Sequence, residues 1–215
     1  MSEIARKSGG RRQRRDSEEL RAALLAAASE VFLEEGFQSA SIEAVIEKVG
    51  GSKRAIYSHF GGKKELFLAL VTDASSKIID SLPRSDEVSG DFGWTLKTFG
   101  MEVSRVLMMP TTLALYRAVI AESARQPDVA ETFFLNGPGR VAKRLAEVLN
   151  QFEASGVISF GDSQRAAERF LGMLRDDVHL RVVLGLQPPP SDNELEQSVD
   201  QAIEIFLRGI ETRGS

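Results

Sequence analysis

Apolar residues recur at intervals of three and four along almost the whole chain, a period that places them on one side of an α-helix. After Ser17, residues Leu20, Leu24, Ala27, Ala28, Val31 and Phe32 form a first stripe that Gly36 stops. Ser41 then offers an N-cap for a short helix with Ile42, Val45, Ile46 and Val49 inward, broken by Gly50 and Gly51. Ser52 is read as the cap of a third short helix, KRAIYSHF, which Gly61 and Gly62 end. A long fourth helix opens at Lys63, carries Leu66, Phe67, Leu70, Val71, Ala74, Ile78 and Ile79 on one face, and is closed by Pro83.

Past a Ser-, Asp- and Gly-rich loop at 84–93, the same period predicts a helix from Trp94 to Met109 and another after Pro110. A short helix follows that ends at Asn136-Gly137-Pro138-Gly139, then one from Val141 to Ser155. A long apolar helix runs from Asp162 or Ser163 to Leu186, and a last one from Asp192 to Ile210. Nothing alternates at period two over a strand's length, and Val157-Ile158-Ser159-Phe160 reads as a loop. The pattern predicts an all-α chain of about nine or ten helices. Residues 1–16 are expected to be a basic flexible arm, 17–62 a helix-turn-helix head of three helices, 63–83 a connecting helix, and 84–215 a helical body.

Charge sharpens this division. Residues 1–64 hold 12 Lys/Arg against 9 Asp/Glu, or +3, and residues 65–215 hold 15 against 22, or −7, which together give the net charge of −4. A basic end on an acidic chain points to a polyanion at that end or to a solubilising disordered tail. There are no cysteines and only two histidines, so disulfides and thiol nucleophiles are excluded and a metal site would lack ligands; no cofactor is expected. The basic N-terminal stretch has no apolar run behind it, and no later run reaches the length of a membrane span, so a cytoplasmic location is expected and no membrane partner.

Two short helices joined by a glycine turn, with a preceding helix to pack across both, have helix-turn-helix geometry, and the second would enter the major groove of double-stranded DNA. It presents Ser52, Lys53, Arg54, Tyr57, Ser58 and His59, which are side chains able to bond phosphates or base edges, while Ala55, Ile56 and Phe60 can face inward. Lys63 and Lys64 open the next helix, where the dipole also favours a phosphate, and Arg15 of the arm adds charge.

The stretch GFQSASIEAVIEKVGGSKRAIYSHFGGKKELFLAL resembles the signature of the TetR family of bacterial regulators: a glycine-aromatic turn, a Ser cap, a short apolar helix, a Gly-Ser-Lys turn, a Tyr-x-His-Phe ending, then Lys-Glu-Leu-Phe. The resemblance covers roughly residues 17–70. It implies recognition-helix contacts from Lys53, Arg54, Tyr57 and His59, a phosphate contact from Ser41, and a backbone contact from Lys63 or Lys64. Gly51 and Gly62 depart from the family pattern, Gly51 standing where an apolar residue is usual. The remainder is similar to the AefR-like and AcrR-like branch, which implies a sequence-specific regulator, usually a repressor, that works as a homodimer on a palindromic operator. The dimer would be made by the last two long helices of each subunit, with recognition helices ~34–36 Å apart.

For the body, Trp94, Phe99, Met109, Tyr116, Phe134, Phe170 and Met173, with Arg117 and Asp177 as orienting polar groups, have the makings of a pocket for a small apolar or aromatic effector. The alternative is a body that binds no small molecule and answers to a partner protein through an exposed apolar patch. A carboxylate–histidine site at Asp176, Asp177 and His179 is a third reading; one histidine is too few for metal chemistry, and Arg175 and Arg181 neutralise the carboxylates, so these are expected to form a polar ring at a subunit interface and no enzymatic activity is expected.

Overall fold

The computed structural model describes residues 3–82, 91–156 and 158–211, and those residues form eleven helices and no strand. In order these are α1 (Glu3–Ser39), α2 (Ile42–Val49), α3 (Lys53–His59), α4 (Lys63–Ser81), α5 (Phe92–Leu107), α6 (Pro110–Ser123), α7 (Pro127–Asn136), α8 (Pro138–Ala154), α9 (Ser163–Leu174), α10 (Asp177–Val183) and α11 (Asp192–Glu211). The chain divides into two compact units, 1–71 and 72–215, with the division inside α4.

In the first unit α1 begins at Glu3, ahead of the start expected after Ser17, since Arg, Gln and Lys favour a helix and no proline intervenes. It kinks at Gly36 and resumes to Ser39. Leu24, Ala28, Val31, Val45, Ile56, Leu66 and Phe67 supply a core drawn from all four of its helices. Phe32, Phe37 and Phe67 meet in this core: Phe32 stacks on Phe37 (centroids 5.7 Å apart), lies edge-on to Phe67 (5.3 Å), and Phe37 is tilted against Phe67 (4.8 Å). The chain leaves α2 through Gly50 at φ 70°, a left-handed conformation open to glycine without steric cost, whose N–H returns to the Ile46 carbonyl.

In the second unit α6, α7 and α8 each start on a proline, where the missing N–H and fixed φ suit a first helical turn. One face of α5, α8, α9 and α11 closes on Leu96, Phe99, Leu145, Leu149, Phe170 and Val199. A smaller cluster of Met108, Leu113, Val182, Val183 and Leu195 joins the end of α5 to α6, α10 and α11. The segment 158–160 has no regular structure and is pinned by Glu153, which accepts from Phe160 N–H (3.0 Å), Gly161 N–H (3.2 Å) and the hydroxyls of Ser159 and Ser163 (3.3 and 3.1 Å). Those donors, the Phe160 N–H first, hold its carboxyl below the usual range.

The long helix expected from 162 to 186 is two helices. Arg175 leaves helical geometry (φ −98°, ψ 56°), and the extended Asp176 accepts the His179 N–H at 3.1 Å and so caps α10. An aspartate favours this cap over a helix interior, which accounts for the break and for the eleventh helix. The expected loop at 84–93 falls largely outside the described residues.

Packing between α5, α9 and α11 is tight at Gly100, where a Cβ would lie 2.9 Å from Cγ1 of Val199 and 3.5 Å from Cζ of Phe170. Gly100→Ala should therefore lower unfolding stability by ~1–3 kcal/mol, read as a lower urea midpoint at unchanged slope. An unchanged midpoint would mean that these helices yield freely at the contact.

Candidate functional site

The first unit presents α3 through one buried residue. Ile56 is fully buried, Ala55 and Phe60 are half-buried, and Ser52, Lys53, Arg54, Tyr57 and Ser58 face outward. Tyr57 is 55% exposed. His59 is half-buried, tilted against Phe60 with centroids 6.2 Å apart, and Arg21 lies 5.4 Å over the other ring contact of that corner, Phe60 itself. Ser41 caps α2 by accepting the Ala44 N–H at 3.0 Å. Ser52 corrects one expectation: it has the extended backbone of a cap, but its hydroxyl makes no capping bond, and the turn closes through its carbonyl to Ala55 N–H at 2.9 Å. Gly51 is exposed, so the departure from an apolar residue there opens no gap in the core.

Several cations of this surface already have partners. Lys53 forms an ion pair with Glu43 of α2, which lowers the glutamate pKa and raises that of the lysine, in both cases chiefly through the hydrogen bond between them. Ser58 donates to the Ala55 carbonyl at 3.0 Å. Lys63 donates to the Gln38 carbonyl at 3.0 Å and sits 4.8 Å over the Phe37 ring, which ties the start of α4 to the end of α1. Lys64 is half-buried beside it. Lys48 bridges α2 to Glu30 (3.0 Å) and Glu34 (3.2 Å) of α1, and its pKa is raised by the Glu30 bond first. The side chain of Arg15 lies outside the described residues.

Sequence reasoning singled out neither Glu43, Lys48 nor Arg21. The Lys53–Glu43 contact joins two helices across a turn, and nothing in helical periodicity marks such a pair.

The nine residues expected around an effector fall into three settings. Phe99 and Phe170 are fully buried in the core, with Met173 packed against it. Trp94, Met109, Phe134 and Asp177 are exposed, Trp94 at 63%, and Asp177 stands 4.0 Å from Arg181. Tyr116 is half-buried between Phe133 and His179, edge-on to both at 5.6 and 5.5 Å. Beside it Arg117 donates from Nε to the Val183 carbonyl and from Nη2 to the Val182 carbonyl, both at 2.7 Å, so its guanidinium closes the C-terminal end of α10. Burial, then the Arg175 charge, lowers the His179 pKa against an opposing effect of Asp176, and the imidazole is neutral at pH 7. Among the described residues neither the Tyr116 hydroxyl nor the His179 ring makes a hydrogen bond, which leaves two polar groups open beside the Phe133 ring. The carboxylates considered with His179 are placed otherwise: Asp176 is the α10 cap and Asp177 points to solvent.

Residues 24–70 match the family model described as bacterial regulatory proteins, tetR family, and residues 94–209 match the C-terminal domain of AefR-like transcriptional repressors. Among curated proteins the chain is 41% identical over 68 residues to the transcriptional activator FasR of Mycolicibacterium smegmatis, covering 31% of each chain. It is 34% identical over 59 residues to the transcriptional repressor AcnR of Corynebacterium efficiens, covering 27% of this chain and 31% of that one. The chain thus spans about a third of the length of the curated relatives it matches. Among solved structures, a tetR-family regulator from Mesorhizobium loti has a TM-score of 0.81 at 26% identity, over 89% of this chain and 96% of that one. The flavonoid-responsive regulator FrrA has a TM-score of 0.72 at 29% identity, over 88% and 95%.

The Lys53–Glu43 pair sets a direct measurement. Opposite charge stabilises the ammonium, so Glu43→Gln should lower the Lys53 pKa toward its ordinary value while Lys48, held by other carboxylates, stays in place. Side-chain NMR titration of both lysines reads this, and a Lys53 value indifferent to the substitution would show that the pair does not form in solution.

Proposed function

Because the chain belongs to the TetR family of bacterial regulators, with an AefR-like C-terminal domain, we propose that it is a sequence-specific DNA-binding transcription regulator, a repressor, that acts by binding and not by catalysis. The observation that carries this reading is α3: Lys53, Arg54, Tyr57 and Ser58 all turned outward while Ile56 alone anchors the helix. Phosphate contacts fix the register of such a helix and base-edge contacts supply its specificity. Tyr57, Ser58 and Ser41 are assigned to phosphates, Arg54 and Lys53 to base edges, with Ser52, His59, Lys63, Lys64 and Arg15 at the margins. Lys63 would have to exchange the Gln38 carbonyl for a phosphate.

The protein acts on a palindromic operator as a homodimer. Leu180 of α10, Leu184 and Leu186 after it and Ile205 of α11 are exposed apolar residues at the last helices of the body, which is where this reading puts the two-fold contact. The effector is a small apolar or aromatic molecule bound against Tyr116, Phe133 and His179, with Arg117 fixing the neighbouring helix end. The name of FrrA, a flavonoid-responsive regulator, supports an aromatic class.

Two measurements test the reading. Arg54→Ala should flatten base preference at defined operator positions by ~1–3 kcal/mol, whereas Tyr57→Phe should weaken binding to operator and random DNA alike; equal losses on both DNAs for Arg54→Ala would remove it from the base contacts. Aromatic compounds that raise the melting temperature should bind ~5–150-fold more weakly in the presence of operator, since the coupling of effector and DNA is reciprocal. Hits that bind equally well with and without operator would refute release by effector, and dissociation from DNA by a partner protein alone would replace it.

A further inference from the structure

The cations of the first unit differ in what already satisfies them. Lys53, at the start of α3, is paired with Glu43, Lys48 with Glu30 and Glu34, and Lys63 is bonded to the Gln38 carbonyl. Arg21 of α1 and Arg54 of α3 make neither a hydrogen bond nor an ion pair among the described residues. What places Arg21 is a ring: it is exposed, and its Cζ lies 5.4 Å from the centroid of Phe60, over the ring.

Phe60 is a fixed support. It ends α3, and its N–H donates at 2.9 Å to the carbonyl of Ile56, the fully buried anchor of that helix. A cation over a ring is attracted by the charge distribution of the ring and uses none of its N–H groups for the contact. The Arg21 guanidinium is thus located by α3 while its donors stay available, and their planar fork matches two phosphate oxygens at once. A long side chain held in this way loses less freedom on binding than one that moves freely in water.

Location gives the partner. A helix in the major groove lies between the two phosphate backbones, and contacts to those phosphates fix its register. Arg21 stands at the C-terminal end of α3, where the His59 ring lies 6.2 Å from that of Phe60. At the other end of α3 the Lys53 ammonium already has a carboxylate.

We propose that Arg21 is a phosphate contact: its guanidinium, seated on Phe60, bonds the DNA backbone beside the C-terminal end of α3 and helps to fix the register of that helix. The proposal rests on the reading of α3 as the helix that enters the groove, and it adds to the DNA surface a residue of α1, outside the helix-turn-helix itself.

Binding of the full chain to a duplex of random sequence, followed by fluorescence anisotropy over a range of salt, tests it. Each phosphate neutralised by the protein releases condensed counterions, so log K falls with log salt by ~0.9 per contact on B-DNA. Arg21→Gln should reduce the magnitude of that slope by ~0.9 for each chain bound, and Arg21→Lys, which keeps the charge, should restore it. Arg169→Gln removes an exposed cation of α9, in the second unit, and should leave the slope unchanged. Because the Arg21 side chain is exposed and makes no hydrogen bond, its variants should keep the circular dichroism of the parent chain. A slope indifferent to Arg21→Gln, a loss that Arg169→Gln reproduces, or a loss that Arg21→Lys does not restore would overturn the proposal. Tyr57→Phe separates the two levels. If it weakens binding to this duplex while Arg21→Gln leaves the slope intact, Arg21 is a bystander and the reading of α3 stands; if neither variant has an effect, α3 is not on the DNA and the proposal falls with it.

Discussion

A helix of seven residues has no stability of its own in water, because nucleating a helix fixes several residues for each hydrogen bond formed. α3 (Lys53–His59) therefore exists only through its tertiary contacts, and burial of Ile56 is the main one. Everything that α3 offers to a partner takes its position from that side chain and from the turn through Gly50. The same unit holds the Phe32–Phe37–Phe67 cluster, and Lys63 fastens the start of α4 to it by its bond to Gln38 and its place over Phe37. The outward side chains can vary without unfolding the head, while the inward one cannot.

A different economy governs the body. Its helices start on prolines or on side-chain caps: Asp91 for α5, Asp162 for α9, Asp176 for α10, and the Ser191–Glu194 box for α11. Much of the acidic excess of this half thus satisfies main-chain N–H groups and lies where the helix dipole favours it. The effector site proposed for the body leans on α10, a seven-residue helix held by Asp176 at one end and Arg117 at the other. Short, doubly tethered elements of this kind are the ones a ligand can shift with modest binding energy.

Helical periodicity carried most of the fold, since the apolar stripes of the head and of α5, α8, α9 and α11 are the ones that the structure buries. Ser41 was legible because a cap and its recipient lie three residues apart. The break at Arg175 was not, because the apolar pattern continues across it and only the competition of Asp176 for a main-chain N–H divides the helix. Residue type likewise says nothing of face: Phe99 and Phe170 turned inward, Trp94 and Phe134 outward, and the sequence holds no signal that separates them. Contacts that join distant segments, such as Lys63 with Gln38 or Arg117 with Val182, depend on the packed fold and leave no local trace.

The Lys53–Glu43 pair has a kinetic consequence for a protein that searches DNA. An ammonium already neutralised by its own chain gains little from a random phosphate, since one anion is merely exchanged for another. If Lys53 contacts DNA as proposed, residence on the wrong stretches of duplex would be shortened accordingly. On a matching site the base-edge contacts proposed for this helix would add to the exchange and tip it, so an internal ion pair there would shorten the pauses of the search without weakening the final grip in proportion.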